Sequence, residues 1–522
     1  MKIACIGAGP GGLYFAISMK LRAPDSEVVV FERNRPGDTF GWGVVFSDQT
    51  MENLKANDPV SAQSMIDELA HWDDIDVHVN GAKITSSGHG FIGIGRKRLL
   101  QLLQARAREL GVVMRFETEI EPDSEMLREF DLVIACDGIN SRFRAAHAQD
   151  YKAEIETRTN HFIWYGTHQR FDAFNFIFKK TEHGWIWAHA YQFDSDTATF
   201  IVECGPETFE RFGFARMSQE ESSRVCEAIF KDHLGGNELM TNAAHISGSA
   251  WLQFRRVLCS NWRRGNVILL GDAAHTAHFS IGSGTKLALE DAIELAKVLS
   301  DAKLDFETAL ACYYDARQLE ALKLQSAARN STEWFEQVER YLGFEPLQFA
   351  YSLLTRSQRV SHENLRLRDP AWLKGVETWF SGRAIAPMFA PFKLRGMDLA
   401  NRIVVSPMAM YSAVDGVPTD FHLVHYGARA LGGAGLVYTE MTCVSPEGRI
   451  TPACPGMWND AQEAMWTRIA AFVHEYSQAK ICLQLGHSGA KGSTRLGWEE
   501  DNAPLPDGNW PVMAASDVAW SP

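Results

Sequence analysis

The sequence has no CxxC pair, no long apolar run and no excess of positive charge. Its nine cysteines are widely spaced, which argues against zinc ribbons and thioredoxin-like sites and suits reduced thiols in a cytoplasm. No apolar run approaches the roughly 18 residues of a membrane helix. With 51 basic and 65 acidic residues the formal net charge is −14, which disfavours nucleic-acid binding because phosphate contacts need a basic face. We therefore expect a cytoplasmic protein with small-molecule ligands, no nucleic-acid partner and no membrane segment.

What is present is a globular composition, 46% hydrophobic and 22% charged over 522 residues. Residues 1–150 alternate short strands with helices, which is typical of a parallel sheet covered by helices. Residues 155–250 carry β-branched and aromatic runs, which favour an antiparallel sheet. Residues 250–300 return to strand and helix, and a mostly helical pattern follows to residue 380. Prolines in the segment 384–394 then predict a domain boundary after residue 383.

A glycine-rich motif follows the first predicted strand, Lys2–Ile6. The six residues from Gly7 to Gly12 read GxGxxG and open a predicted helix. Such glycines allow a tight turn and let backbone N–H groups approach a pyrophosphate at the helix N-terminus. Glu32 ends the next predicted strand, roughly 20 residues later, where a carboxylate meets ribose hydroxyls. The pattern predicts dinucleotide binding, but it does not separate FAD from NAD.

Two further motifs follow predicted strands. Asp137–Arg144 fits DGxxSxxR, and Gly271–His275 reads GDAAH, with Gly282-Ser283-Gly284 opening the next helix. Together with GxGxxG they resemble the FAD-dependent aromatic hydroxylases of the p-hydroxybenzoate hydroxylase type. The resemblance covers residues 1 to about 375 and implies a Rossmann-like α/β FAD-binding domain with an inserted antiparallel substrate sheet and C-terminal helices. The cofactor contacts that it implies are Gly7, Gly9, Gly12, Glu32, Arg33, Arg96, Asp137, Gly138, Asp272, Gly282, Ser283 and Gly284.

The same resemblance divides the first domain, 1–383, by role. We expect the FAD-binding parts at about 1–75, 88–150 and 255–300, the substrate sheet at about 155–250 and the helical part at about 305–380. An aromatic cluster in the predicted sheet either lines a substrate pocket or forms sheet core, and it comprises Trp164, Tyr165, Trp185, Trp187 and Tyr191. From this cluster Tyr165 is the predicted substrate contact. No catalytic side chain is assigned, and His275 with His278 lacks the third ligand that a metal site would need.

A second resemblance begins after the boundary. It is carried by Asn401–Met408, by Gly435–Glu440 and by Gln484–Gly489. These segments resemble Old Yellow Enzyme, an FMN-binding (β/α)₈ barrel. The resemblance implies FMN contacts from Pro407, Met408, Ala409 and Gln484 and a substrate contact from Tyr411.

The barrel region, residues 384–522, is much shorter than the roughly 250 residues of a typical (β/α)₈ barrel. We therefore expect an incomplete barrel, a chain that is a fragment of a longer protein, and no bound FMN on this fragment. FMN is expected only in the complete barrel.

A hydroxylase followed by an Old Yellow Enzyme-like barrel resembles the bifunctional salicylyl-CoA 5-hydroxylase and 2-aminobenzoyl-CoA monooxygenase/reductase family. Segments Arg33–Pro36, Thr39–Asp48 and His89–Leu100 are similar to that family in particular. The resemblance implies NAD(P)H- and O₂-dependent hydroxylation of an aryl-CoA thioester at ring C5 through a flavin C4a-hydroperoxide, and ring reduction by the barrel of the complete protein. Two alternative functions stay open, a hydroxylase of a free phenolic acid and a non-catalytic flavoprotein. The sequence also leaves open whether the cofactor is NADH or NADPH and whether the protein forms a homodimer.

Overall fold

The computed structural model describes residues 1–39, 41–242, 250–500 and 502–520. Phe40, residues 243–249 of the predicted substrate sheet and residues 501 and 521–522 of the predicted barrel lie outside the described residues. The chain divides into two compact units, residues 1–372 and 373–522. The sequence-based boundary after residue 383 stays a prediction. Within the described segments, no helix has the length and apolarity to cross a membrane.

The strands of the first unit lie in its first 270 residues. They are β1 (Lys2–Ile6), β2 (Glu27–Phe31), β3 (Gly43–Ser47), β4 (Ala70–Trp72), β5 (Ile75–Val79), β6 (Ala82–Ser86), β7 (Phe91–Gly95), β8 (Val113–Arg115), β9 (Leu132–Ala135), β10 (Ala153–Thr167), β11 (Phe174–Thr181), β12 (Gly184–Gln192), β13 (Ala198–Cys204), β14 (Leu239–Met240), β15 (Leu252–Cys259), β16 (Arg263–Arg264) and β17 (Val267–Leu269).

The helices of this unit lie among these strands and become dominant after the last of them. They are α1 (Pro10–Arg22), α2 (Asp48–Asn57), α3 (Pro59–Ile66), α4 (Arg96–Glu109), α5 (Arg142–Ala146), α6 (Pro206–Phe212), α7 (Gln219–Leu234), α8 (Gly284–Leu299), α9 (Phe306–Glu336), α10 (Pro346–Thr355), α11 (His362–Arg368) and α12 (Pro370–Ser381), the last of which spans the division between the units.

The second unit has five described strands and two helices after α12. They are β18 (Phe392–Leu394), β19 (Met397–Leu399), β20 (Val404–Val405), α13 (Asp420–Leu431), β21 (Leu436–Cys443), α14 (Asp460–Tyr476) and β22 (Lys480–Gly486).

The first unit is built on two large sheets. The six-stranded sheet has the order β16-β17-β9-β1-β2-β8, and β1 pairs in parallel with β2 and with β9. Buried apolar residues run through β1 without alternation, as expected of a central parallel strand covered on both faces. The second sheet has the order β14-β10-β13-β12-β11-β5-β6, with β15 also on β10. Its long strands pair antiparallel, so the α/β fold with an inserted antiparallel sheet is confirmed.

The first helix fixes how the glycine-rich motif meets the six-stranded sheet. Pro10 lies in the first turn of α1, where its missing N–H costs nothing and its φ suits a helix. Gly11 faces the neighbouring elements closely, since a Cβ there would lie 2.8 Å from Leu270 Cδ2 and 3.3 Å from Ala288 Cβ. Glycine therefore lets α1 pack tightly between the sheet and α8.

In the second unit, strands and helices alternate. The parallel sheet has the order β20-β21-β22, and α13 and α14 form the two connections between its strands. This alternation is that of a (β/α)₈ barrel, and the described residues contain three strands of that kind. The predicted barrel-type region is therefore confirmed as a partial one.

Candidate functional site

The glycine-rich turn between β1 and α1 forms a cradle for an anion. Gly7 has φ +112°, and a Cβ on it would lie 2.5 Å from the Cys136 carbonyl oxygen. A Cβ on Gly12 would lie 2.2 Å from the Gly7 carbonyl oxygen, so this position too excludes a side chain. Gly9 is different, because nothing lies within 4 Å of its Cβ position. Gly7 and Gly12 close the turn, whereas Gly9 leaves space beside the helix N-terminus.

Glu32 lies one residue beyond the end of β2, whereas the sequence predicts it as the last residue of that strand. One carboxylate oxygen accepts a hydrogen bond of 2.8 Å from the Ala8 N–H, and the other accepts one of 2.9 Å from the Asn34 N–H. These bonds fix the carboxylate beside the glycine turn while leaving lone pairs for further donors. Glu32 is thus fixed beside the glycine turn, and its contact with a ribose stays a prediction.

A cavity of about 250 Å³ lies in front of these residues. Seven of the predicted cofactor contacts line it, namely Gly7, Gly9, Glu32, Arg33, Arg96, Asp137 and Gly138. Gly12, Asp272, Gly282, Ser283 and Gly284 are not part of its lining. The cavity joins the first glycine motif to the second motif, since both contribute walls.

FAD fits this cradle. Nothing lies within 4 Å of the Cβ position of Gly138, so the backbone there is as open as at Gly9. Asp137 Oδ2 accepts a hydrogen bond of 2.7 Å from the Arg142 N–H, whereas Oδ1 is buried without a hydrogen-bond partner among the described residues. Buried polar atoms are nearly always paired in native structures. An unpaired carboxylate oxygen beside a polar cavity therefore suits a ligand that carries hydroxyl donors.

Arg144 connects the second motif with the third. It is 3% exposed and donates to the carbonyl oxygens of Ala273 at 2.9 Å and Ile139 at 2.5 Å. Ser141 caps the short helix α5 by accepting a hydrogen bond of 3.0 Å from the Arg144 N–H. The serine and arginine of DGxxSxxR therefore join the two motifs, and this structural role was not predicted from the sequence.

Arg96 and Asp272 lie close enough to influence each other's charge. Burial raises the pKa of Asp272, and the Arg96 guanidinium offsets part of that effect. Burial likewise lowers the pKa of Arg96, and the Asp272 carboxylate acts in the opposite sense. Gly282, with φ +61°, ends the turn Phe279–Ile281, and Ser283 and Gly284 lead into α8. The third motif thus lies near Arg96, which lines the cavity, although its own residues do not.

One face of the second sheet carries several aromatic side chains, two of which, Trp187 and Tyr191, belong to the predicted aromatic cluster. On β12, Ile186, Ala188 and Ala190 lie in the core beneath α7, so Trp187, His189 and Tyr191 lie on the opposite face. Phe162 of β10 and Phe176 and Phe178 of β11 share that face. We call these six residues the aromatic face. Phe279 contacts it, with its ring centroid 4.7 Å from that of Phe162 and 5.6 Å from that of His189.

The prediction for Tyr165 is corrected. Its side chain is 0% exposed and lies in the core formed with Phe200 and Phe230, on the side of the sheet that α7 covers. Residues alternate between faces along a strand, so Trp164 is the neighbour that points away from this core. Tyr165 therefore packs the sheet against α7. Of the two interpretations of the aromatic cluster, substrate pocket or sheet core, the second holds for this residue.

Sequence reasoning missed a buried acid–base pair on this sheet. His189 Nε2 lies 3.0 Å from Glu203 Oε2, and both side chains are almost completely buried. The available signal was strand periodicity, because His189 alternates with Trp187 and Tyr191 along β12. The position of Glu203 opposite it depends on strand register and could not be read from either strand alone.

In the second unit, the predicted FMN contacts lie at the carboxyl end of the parallel sheet. Pro407, Met408 and Ala409 follow β20 and are exposed, and Gln484 lies exposed within β22. Tyr411 has φ +49°, and its ring centroid lies 6.1 Å from that of Trp498. The carboxyl ends of barrel strands carry the reacting groups in this fold, so this arrangement is consistent with the predicted contacts, which stay predictions.

Glu440 positions the segment that follows β20. Its Oε2 accepts a hydrogen bond of 2.9 Å from the Met410 N–H, and His422 Nε2 lies 3.0 Å from its Oε1. Both side chains are buried. This pair was not predicted as functional. Among the described residues of either unit, no three His, Cys, Asp or Glu side chains are grouped to hold a metal ion.

Two family models match the chain. Residues 1–318 match the FAD binding domain, and residues 387–512 match the NADH:flavin oxidoreductase / NADH oxidase family. A salicyloyl-CoA 5-hydroxylase from a Streptomyces species is 42% identical over 443 residues, which cover 83% of this chain and 84% of the relative. These matches confirm the resemblance inferred from the motifs, an FAD-type hydroxylase followed by an FMN-type domain.

Two further comparisons concern the first unit. A 3-hydroxy-4-methyl-anthranilyl-(aryl-carrier protein) 5-monooxygenase from Streptosporangium sibiricum is 33% identical over 64% of this chain and 89% of the relative. The solved structure of 2-methyl-3-hydroxypyridine-5-carboxylic acid oxygenase is similar with a TM-score of 0.55 and 16% identity, covering 71% of this chain and 98% of that one. At that identity the structure supports the fold alone.

Proposed function

Because this chain belongs to the family of FAD-dependent flavoprotein monooxygenases, we propose that it hydroxylates an aryl-CoA thioester at ring C5, with NAD(P)H and O₂ as co-substrates. The observation that carries the proposal is the 42% identity to a salicyloyl-CoA 5-hydroxylase over 83% of the chain. The alignment of 443 residues exceeds the length of the first unit, so it includes residues of both units. The second relative's name also places its reaction at position 5 of an anthranilyl ring.

The geometry supports an aromatic substrate. Bound FAD, once NAD(P)H has reduced it, would react with O₂. Together they would supply one electrophilic oxygen atom. The residues of the chain have to hold the ring beside that oxygen and exclude water. The aromatic face offers apolar side chains for this purpose, and Phe279 connects it to the turn that precedes Gly282. A ring with an ortho hydroxyl or amino group is activated para to that group, which is C5 in salicyl and 2-aminobenzoyl thioesters.

The second unit suits a later step on one of these substrates. Hydroxylation of a 2-aminobenzoyl ring followed by ring reduction would use both flavin domains, whereas salicyl hydroxylation needs only the first. We place that reduction in the complete barrel, at the carboxyl end of β20–β22.

The test compares four compounds at equal concentration: salicyloyl-CoA, 2-aminobenzoyl-CoA, benzoyl-CoA and free salicylate. Oxygen uptake, product mass and H₂O₂ yield are measured on the FAD-loaded protein. The first two should give a 5-hydroxylated product or its reduced form. Benzoyl-CoA lacks a donor group and should at most release H₂O₂, and free salicylate should be poor because the CoA moiety contributes binding energy that positions the ring. Efficient hydroxylation of benzoyl-CoA or free salicylate would overturn the aryl-CoA assignment.

A further inference from the structure

The turn that precedes α8 has to be held in place from outside. It comprises Phe279–Ile281 and ends at Gly282, and the predicted flavin contacts Ser283 and Gly284 follow directly. A single 3₁₀ turn has poor internal hydrogen-bond geometry, so neighbouring elements determine where it lies. The position of these flavin contacts therefore depends on the side chains that bind the turn.

Arg356, the residue after α10, binds this turn from the C-terminal helical part. Its Nη2 donates a hydrogen bond of 2.6 Å to the Ser280 carbonyl oxygen, which lies in the middle of the turn. Its Nε donates one of 2.9 Å to Ser331 Oγ of α9, and its Nη1 donates one of 2.7 Å to the Leu353 carbonyl oxygen of α10. Ser331 Oγ also lies 2.8 Å from Ser280 Oγ. The turn, α9 and α10 thus meet at one guanidinium.

The same guanidinium lies against the aromatic face. Its carbon atom lies 5.0 Å from the ring centroid of Phe176, a member of that face, and 5.2 Å from that of Phe335. Phe335 in turn stacks on Trp187 with its centroid 5.9 Å away. Burial lowers the pKa of Arg356 to about 10, so the group is still a cation at neutral pH and is attracted to these rings. Arg356 therefore contacts both the predicted flavin turn and the surface proposed for the substrate ring.

A second arginine from the same segment binds the residue after the turn. Arg359 Nη1 donates a hydrogen bond of 3.2 Å to Ser283 Oγ, and the Ser283 hydroxyl donates one of 3.1 Å to the Ile281 carbonyl oxygen. Between the two arginines, Gln358 has φ +59°, a conformation that is uncommon for residues other than glycine. Backbone of this kind persists where the surrounding contacts fix it. Segment 356–359 thus holds the turn at two points.

We propose that Arg356 and Arg359 are positioning residues that fix the turn Phe279–Gly282 against the aromatic face, so that the substrate ring and the predicted flavin contacts keep one relative position; this inference rests on the proposed function. Oxygen transfer needs reacting atoms at close range, and a displacement of about 1 Å can lower a rate about 10²-fold. Arginine suits this role at position 356, because its planar fork reaches three acceptors while its face lies on aromatic rings. A lysine ammonium keeps the charge but not this geometry.

The experiment uses the FAD-loaded full chain and three measurements. The dissociation constant of FAD and the visible circular dichroism of the bound oxidised flavin are measured without substrate. The yield of hydroxylated product per O₂ consumed is measured with salicyloyl-CoA. The variants are R356M, R356K and R359M. R402M is the matched control, because Arg402 of the second unit also lies on two rings, with its guanidinium carbon 4.8 Å from the centroids of both Phe380 and Phe392.

In R356M, the product yield per O₂ should fall about tenfold or more, with H₂O₂ accounting for the difference, because the ring and the flavin contacts lose their common support. The dichroism of the bound flavin should change, whereas the dissociation constant of FAD should rise less than about tenfold, since the glycine cradle is intact. R356K should recover part of the yield, R359M should show a smaller loss, and R402M should match the wild type. A merely structural role would reduce the amount of folded protein and leave the yield per O₂ of the FAD-loaded fraction unchanged.

Wild-type product yield and dichroism in FAD-loaded R356M would overturn the inference. If R356M does not fold or does not bind FAD, R359M decides, because the Arg359 side chain is exposed and its loss leaves the core intact. Wild-type values there would overturn the inference equally. Failure of the proposed function is recognised on the wild type alone, by the absence of hydroxylated product from all four compounds. The dichroism comparison needs no substrate, so it distinguishes that failure from a turn that the two arginines do not hold.

Discussion

The two units differ in how far their sheets are covered. In the first unit, the central strand β1 is buried by helices on both faces, and the aromatic face of the second sheet is covered by rings such as Phe335 and Phe279. In the second unit, the edge strand β22 is largely half-buried or exposed, and Val424 of α13 is 68% exposed. The first unit lines its predicted cofactor site with residues from two motifs, and Arg144 joins the third motif to them. The second presents its predicted contacts on an exposed sheet end.

This difference indicates where each unit can hold a flavin. Anion binding needs several backbone and side-chain groups that converge from different elements. The first unit has such a convergence around a cavity of about 250 Å³, joined by Arg144. Among the described residues, the second unit has three parallel strands of the eight that close a barrel.

The largest expected effect is therefore one of flavin content. The whole chain should bind one FAD and no tightly held FMN, because Pro407–Ala409 and Gln484 are exposed and the described unit has only three strands of the barrel type. Flavin released by heating the purified protein is separated and quantified against protein concentration. Equimolar FMN would show that the second unit binds its flavin as the first unit binds FAD. The two units would then no longer differ in flavin binding.

The second prediction concerns a buried charge network in the first unit. Asp291 Oδ2 lies 2.8 Å from His275 Nε2, and Oδ1 accepts a hydrogen bond of 2.8 Å from Arg317 Nε. Asp291→Asn leaves these partners without their anion and should cost about 3–5 kcal/mol of unfolding free energy at pH 7. Urea unfolding of the whole chain should show the loss in the transition of the first unit, and the second unit should keep its own midpoint.

The pH dependence of that loss follows from the direction of the pKa shift. Burial raises the pKa of Asp291, but the charges of His275 and Arg317 outweigh it and leave the pKa below its usual value. A depressed carboxyl pKa contributes stability above the unfolded-state value, about 3.9, and that stability disappears as pH falls through the folded-state value. The difference between wild type and Asp291→Asn should thus be largest near neutral pH and shrink below about pH 4. A difference that stays constant to pH 3 would contradict the ionic account.

The third prediction tests the cradle itself. Gly9→Ala should weaken FAD binding about 10- to 100-fold, equivalent to about 1.4–2.7 kcal/mol, because the added methyl occupies space that the structure leaves for a ligand. The fold should be unaffected, since no protein atom lies within 4 Å of the new Cβ. Titration with FAD measures the dissociation constant, and Gly343→Ala, at an equally open glycine away from the cradle, is the matched control. Equal affinities for Gly9→Ala and the control would contradict the phosphate-cradle assignment.

These positions also show what could be predicted from the sequence. Gly7, Gly9, Gly12 and Glu32 are specified by local spacing, because a strand, a turn and a helix follow each other within one continuous segment. The strand and helix pattern of the first 150 residues was predicted for the same reason. The fold class could therefore be predicted from short-range signals, which a single sequence carries.

The substrate sheet was harder, because the face of a strand residue depends on what covers the sheet. Tyr165 and Trp164 are adjacent and both aromatic, but only the position of α7 decides which of them is in the core. His189 and Glu203 are paired through the register of β12 and β13, which neither strand specifies alone. Arg144 likewise depends on a carbonyl group more than 100 residues away in the chain. Such contacts are set by the tertiary fold.

The smallest expected effect tests the exposed face of the second unit. Phe421, Val424 and Leu431 are more than half exposed and recur at helical spacing along α13, so they form an exposed apolar stripe. Val424→Lys removes no buried contact and should change the unfolding free energy of the unit by less than about 0.5 kcal/mol. Ile469→Val, at a 0% exposed position of α14, removes one buried methyl and should cost about 0.5–1.5 kcal/mol. Urea unfolding of both variants gives the comparison within a single unit. If Val424→Lys cost more than Ile469→Val, the stripe would have to be packed in solution, and the contrast between a covered first unit and an open second one would no longer hold.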